Sequence, residues 1–235
     1  MGKYIVFSDL HAHLFTDFAK TDKEYINTRL ANIVNGLRDT LDIAKREHRT
    51  VLFAGDLFHA RGSVRSEVFN AVFKIISGYR DVNIIMIRGN HDSSNNTLAS
   101  PSSIEPFGFL DNVRLFTGLD TLDINGDTLT LVSYGEEYAE IKQFIKDNPA
   151  DIMMAYLGIE GSKGAGASSL DGAFTVGDLY PDKIVLLGHY HRSQKFTNNM
   201  LYVGNSVAHN FSDYDMHKAA QSTKIKDLPE WRIRY

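Results

Sequence analysis

The sequence predicts an α/β fold, a sandwich of two mixed β-sheets flanked by helices. Three observations lead there. Short apolar runs recur along the chain and end in polar or glycine-bearing turns. Amphipathic stretches at three-to-four spacing fill some of the gaps. One Asn125-Gly126 pair sits between two alternating segments. Strands alternating with helices need crossover connections, which favour parallel pairing. An Asn-Gly turn between alternating runs marks an antiparallel hairpin. The two kinds of pairing together favour a two-sheet sandwich over a purely doubly wound sheet.

In chain order, 3–8, 51–54, 83–87, 128–133, 152–157, 183–187 and 201–203 read as buried strands, because strands covered on both faces are continuously apolar. In 23–47, Ile26, Leu30, Ile33, Val34, Leu37 and Leu41 recur at helical spacing, with Asp22 as the expected N-cap. Val64, Val68, Val72, Ile75 and Ile76 do the same in 64–78. A third helix is expected over 137–147, stopping before Pro149. The stretch 112–133 reads as hairpins, and the glycine- and serine-rich stretch 158–177 as a long flexible loop. Loops of that length inside a compact domain are often functional. No domain boundary or repeat interrupts the chain, so 1–235 reads as a single domain. The tail after Asp213 is only weakly patterned.

With 43% hydrophobic residues the chain can bury a sizeable core unaided. The absence of cysteine excludes a disulfide framework, thiolate zinc sites and cysteine nucleophiles. The apolar start, Met1 to Phe7, is too short for a signal peptide or membrane span. A soluble cytoplasmic protein with no membrane contact is expected. A net charge of −4 is unlike that of a dedicated non-specific nucleic-acid binder, although bound cations would add local positive charge.

Four short motifs each sit just past a predicted strand: Asp9-Leu10-His11, Gly55-Asp56, Gly89-Asn90-His91-Asp92 and Gly188-His189-Tyr190-His191. In open α/β folds, functional groups gather outside the carboxyl ends of strands. Asp9 and His11 are two apart, as are His189 and His191, and in extended backbone such pairs share a side. Carboxylate, imidazole and amide oxygen together suit Mn²⁺, Fe²⁺ or Zn²⁺, and Asp56 can bridge two ions. Two cations about 3.5–4 Å apart clamp both oxygens of a phosphoryl displacement and acidify water. Any one motif is common; all four in this order at strand ends are not.

The series resembles the calcineurin-like metallophosphoesterases, over about residues 3 to 212. Finer detail, in Ser8-Asp9-Leu10-His11, Gly55-Asp56-Leu57-Phe58-His59 and Leu157-Gly158-Ile159-Glu160-Gly161, resembles the SbcD-type branch of DNA double-strand-break nucleases and their phage relatives. The resemblance implies a metallophosphoesterase-type sandwich and two divalent ions, Mn²⁺ first, with Zn, Fe or Mg as alternatives. It implies one ion on Asp9, His11, Asp56 and His191. The second would sit on Asp56, Asn90, His189 and a further histidine. His91 would be the general acid or transition-state stabiliser, with Asp92 orienting it. Tyr156 stands in the slot of that further histidine. A phenol, with a pKa near 10, is a weak ligand for such ions, so a weakened second site and reduced turnover are expected.

Substrate contacts are expected from His13, His59 and Arg61. Arg65 and Arg88 also adjoin motifs, and a planar guanidinium suits phosphate; Arg65 reads as exposed on a helix face. The serine-rich loop 93–103 offers polar donors. Asn205, Ser206 and His209 follow the last predicted strand as supporting residues, and Trp231 and Tyr235 lie in the tail. The expected function is a Mn²⁺-dependent DNA exo- or endonuclease, with DNA as partner. The alternatives are a small-molecule nucleotide or cyclic-nucleotide phosphoesterase, or a binding scaffold with a degraded site. Homodimerisation is common in the branch. The branch also implies a capping domain and docking to an SbcC-like ATPase, for which 235 residues leave little room.

Overall fold

The computed structural model describes residues 2–163, 169–180 and 182–205, with the backbone of 232–233. The expectations for Ser206, His209, Trp231 and Tyr235, and most of the tail, lie outside the described residues. The strands are β1 (Tyr4–Phe7), β2 (Thr21–Asp22), β3 (Ile26–Asn27), β4 (Thr50–Phe53), β5 (Ile84–Ile87), β6 (Val113–Phe116), β7 (Leu119–Ile124), β8 (Asp127–Val132), β9 (Ile152–Tyr156), β10 (Ser162–Lys163), β11 (Ser169–Leu170), β12 (Ile184–Gly188), β13 (Gln194–Lys195), β14 (Met200–Tyr202) and β15 (Arg232–Ile233). The helices are α1 (Thr28–Glu47), α2 (Ser66–Gly78) and α3 (Tyr138–Asp147). Among the described residues no helix is long and apolar enough to cross a membrane.

Two sheets form the centre. One runs β15-β1-β4-β5-β6 and is parallel throughout. The other runs β13-β14-β12-β9-β8-β7, with parallel pairs inside and antiparallel pairs at both edges. Mixed pairing is therefore confined to the second sheet.

Strand alternation sorts the core into three layers. Ile5 and Phe7 of β1 pack toward α1 and α2, with Leu30, Val34, Val68 and Val72. Tyr4 and Val6 turn the other way, into the space between the sheets. In β9, Ile152, Met154 and Tyr156 share that inter-sheet space, whereas Met153 and Ala155 join Ile141 and Ile145 of α3. The result is helix, sheet, sheet, helix. Each fully buried aliphatic side chain contributes roughly 1.5–3 kcal/mol of transfer free energy. The same alternation aims Tyr156, at the carboxyl end of β9, into the interior.

Three expectations change. Helix α1 begins at Thr28, capped by Asn27, whose Oδ1 accepts from the Leu30 amide at 2.9 Å. Asp22 instead accepts from the amides of Glu24 and Tyr25, at 2.9 and 2.8 Å, inside the β2–β3 hairpin. Asx side chains cap turns as readily as helices, and the β2–β3 hairpin keeps the chain out of helix until Asn27, which is itself extended. Only one hairpin forms in 112–133, β7–β8, turning at Asn125 and Gly126 with φ of +55° and +81°; β6 pairs parallel with β5 in the other sheet. The stretch 158–177 carries the antiparallel β10–β11 pair, an Ile159–Phe174 bridge and a 3-10 turn at Val176–Asp178. Ile159 and Phe174 are buried, but two-residue strands are too short to show a period.

Arg88 is fully buried, not a phosphate contact. It donates to the carbonyls of Thr97 and Leu98 at 3.0 Å each, Tyr134 at 2.8 Å, and Ser100. Arg88 thereby ties the 93–103 loop to the end of β8. Arg88→Ala strands those acceptors and opens a cavity. The expected loss is about 3 kcal/mol, read as a lower urea midpoint at unchanged m-value. A loss under about 1 kcal/mol would show that other contacts hold the loop.

Candidate metal centre

Asp9 and His11 follow β1, Asp56 follows β4, and Asn90 and His91 follow β5. Tyr156 ends β9, and His189 and His191 follow β12. β1, β4 and β5 are parallel neighbours in one sheet, and β9 and β12 in the other. Their carboxyl ends therefore bring the four motifs together. The segments are not extended, as the two-residue spacing implied. Asp9, His11, Asp56 and His189 take φ of +52°, +46°, +58° and +111°. Such conformations cost roughly 1–3 kcal/mol each in non-glycine residues and cluster at functional sites. Backbone bonds hold the turns: the Asp9 amide donates to the Gly55 carbonyl at 3.0 Å, and the His11 amide to the Asp56 carbonyl at 3.1 Å. Gly89 lies flat on Asp56, where a Cβ would run into the carboxylate.

Asp9 and Asp56 are almost wholly buried. Asp9 accepts from Ser8 Oγ and from the His189 amide at 3.3 and 3.4 Å. Asp56 Oδ1 accepts from the His91 amide at 2.9 Å. His11 Nε2 and His191 Nε2 face each other at 2.9 Å. His11 Nε2 is also 3.5 Å from Asp56 Oδ2 and 3.9 Å from Asp9 Oδ1. Two imidazole nitrogens and two carboxylates thus converge, a set suited to a divalent ion of intermediate softness. Across the pocket, the Tyr156 hydroxyl donates to Asp56 Oδ2 at 2.6 Å. It lies 2.8 Å from Asn90 Oδ1 and 3.5 Å from Asp9 Oδ1.

Burial, then the Asp92 and Asp9 charges, push the Asp56 carboxyl well above the usual range. Burial raises Asp9 as well, against the pull of His191. Burial, then Asp56 and Asp9, raise the Tyr156 phenol, so it keeps its proton. Burial lowers His189 and His59 to about 4, leaving both neutral near pH 7, the form in which imidazole ligates.

A family model for the calcineurin-like phosphoesterases matches residues 2–193. The chain belongs to this family. It is a metallophosphoesterase with a two-sheet α/β fold, and its family normally uses divalent metals. A comparison with curated proteins returns no match. Among solved structures, a novel archaeal phosphodiesterase shares 14% identity over 72% of this chain and 81% of its own, with a TM-score of 0.37. A hypothetical protein from Thermus thermophilus shares 11% identity over 93% of this chain and 84% of its own, with a TM-score of 0.45.

The other residues expected at the site lie around these donors or near them. His91 Nδ1 donates to the His59 carbonyl at 2.6 Å. The Asp92 carboxylate is spent on backbone, accepting from the amides of Leu57, Phe58 and Gly89 at 3.1–3.2 Å. It orients His91 only by fixing the loop. His59 Nδ1 is 3.4 Å from His11 Nδ1. His13, half-buried, packs edge-on against Phe15 and at a tilt against His59. Arg61 is exposed and donates to the Ser93 carbonyl at 3.2 Å and to Asn96, so its guanidinium braces the 93–103 loop. Arg65 pairs with Glu67 in solvent. Ser8, quoted in the motif Ser8-Asp9-Leu10-His11 without a role, donates its hydroxyl to the Asp9 carboxylate.

A cation entering this pocket displaces protons from carboxyls that burial has raised. Lower pH favours the protonated form and opposes the ion, so Mn²⁺ affinity should climb between about pH 5 and about pH 8. Calorimetric titration in buffers of different ionisation heat should register proton release. Binding without release at about pH 5 would contradict this.

Proposed function

We propose that the chain is a metal-dependent phosphodiesterase acting on DNA, a nuclease of SbcD type, with Mn²⁺ as the preferred ion. The observation that carries the reading is that Asp9, His11 and His191 bring one donor atom each within 4.8 Å of one another, with Asp56 Oδ2 3.5 Å from His11 Nε2 and His91 at the edge. When bound, divalent cations supply Lewis acidity toward a phosphoryl oxygen and toward water. The donor set of Asp9, His11, Asp56 and His191 fits such an ion. His91 is the proton carrier. Its Nδ1 is committed to the His59 carbonyl, leaving Nε2 to give a proton to the leaving oxygen. His59 supports the centre a second way, since its Nδ1 accepts from His11 when His11 Nε2 ligates, and outer partners of this kind orient ligands.

Nucleic acid as substrate is supported by a cleft of about 220 Å³ beside Tyr156 and His189. Tyr134, Tyr138, Phe174 and Tyr190 line it, with Glu136 and Asp171. Aromatic walls take bases by stacking, and carboxylates accept from base amino groups while repelling phosphate. The cleft is smaller than the roughly 300–1,000 Å³ of a site for a drug-sized ligand, which suits one ring system. The same cleft would take the base of a mononucleotide, so it supports a base-bearing substrate, and cleavage of DNA is what separates the two readings.

Labelled single- and double-stranded DNA with Mn²⁺, set beside a chromogenic phosphodiester, tests this. DNA should be cleaved, and Tyr190→Ala should raise KM for DNA about tenfold while sparing the small ester. His91→Gln should lower kcat by about 10²–10⁴ with Mn²⁺ binding retained. Hydrolysis of the chromogenic ester alone would refute the DNA reading.

A further inference from the structure

Resting on the reading of this pocket as a cation site, we infer that the Tyr156 hydroxyl takes the place of the second cation. The chain then holds a single divalent ion, on Asp9, His11, Asp56 and His191. The two would compete for the same donors. The hydroxyl sits 2.6 Å from Asp56 Oδ2 and 2.8 Å from Asn90 Oδ1. A second ion, bridged to the first by Asp56, would need those same oxygens at about 2.0–2.2 Å. A phenolic O–H and a cation cannot both occupy that point.

The phenol is also held there. Tyr156 is 1% exposed and belongs to the inter-sheet core. Gly55 and Gly188 lie against its ring, and a Cβ at either would meet Tyr156 Cδ2. His189 and Tyr134 close on it edge-on, with ring centroids 5.2 and 6.2 Å away. β9 pairs with β12 in register through Tyr156 and Gly188, so the backbone under the ring is fixed on one side. A rotation out of the pocket would need this packing to open.

Charge points the same way. With Asp56 hydrogen-bonded to the phenol, the remaining donors of a second site are Asn90, whose amide is uncharged, and His189. Two neutral donors hold a divalent ion poorly without carboxylate help. On the other side of Asp56, the donors from His11, His191 and Asp9 remain together. The phenolic O–H thus does part of a cation's work: it directs positive charge density at Asp56.

The test is Mn²⁺ stoichiometry and spectroscopy on the full chain. Equilibrium dialysis with metal analysis should find about one Mn²⁺ per wild-type chain, with the hyperfine pattern of an isolated ion in electron paramagnetic resonance. Asn90→Ala should leave that count unchanged, because Asn90 serves the phenol and no ion. Tyr156→His should raise it to about two, with the broadened spectrum of an exchange-coupled pair. If Tyr156→His fails to fold, the wild-type and Asn90→Ala counts still decide. A coupled pair in the wild type, or a count lowered by Asn90→Ala, would overturn the inference and leave the phosphoesterase reading standing. So would a Tyr156→His count that stays near one. An intense visible band on loading Fe³⁺, the mark of a phenolate–iron bond, would show that Tyr156 joins an ion and would also overturn it. No Mn²⁺ in any variant would instead sink the cation-site reading beneath it.

Discussion

Two carboxylates buried side by side at the mouth of the inter-sheet core are the constraint around which this molecule is arranged. Asp9 and Asp56 lie within reach of one histidine nitrogen and one phenol. Like charges out of water repel strongly, and each also loses its hydration. Such a pair persists only when protons, hydrogen-bond donors or cations compensate it. Every neighbour bears on that need: Ser8 and the His189 amide on Asp9, the His91 amide and Tyr156 on Asp56, and the paired imidazoles of His11 and His191 between them.

The surrounding fold serves that cluster. Parallel β1, β4 and β5 deliver three motifs at one edge of their sheet, and β9 and β12 deliver the rest from the facing sheet. The left-handed turns at Asp9, His11, Asp56 and His189 concentrate backbone strain where the donors meet. Stability elsewhere offsets it: three apolar layers above and below, and the guanidinium of Arg88 anchoring the 93–103 loop from within. Asp92, one residue from the proposed proton carrier, commits its carboxylate to backbone amides of two loops. Its contribution to His91 is rigidity of the support.

Legibility was uneven, for identifiable reasons. Seven buried strands and three helices were readable because apolar runs and three-to-four spacing record burial directly. The start of α1 was not, because Asp22 and Asn27 offer the same capping chemistry and only the β2–β3 hairpin selects between them. The parallel attachment of β6 was hidden for a similar reason, since 112–133 alternates whether its strands pair with each other or with β5. Arg88 and Arg61 looked equally suited to phosphate. One is sealed under a loop and the other braces it from outside, and side-chain type alone carries no record of either.

The order and chemistry of the four motifs, the run of strands that carries them and the presence of tyrosine at position 156 were all determined by the sequence by itself. These are local properties, written in residue type and spacing. Where the Tyr156 hydroxyl goes, which nitrogen of His91 is left for a proton, and how the aromatic cleft assembles from Tyr134, Tyr138, Phe174 and Tyr190 were decided only by the tertiary structure. Those outcomes depend on segments far apart in the chain meeting across two sheets. Contact between them is set by packing, which no short stretch of sequence contains.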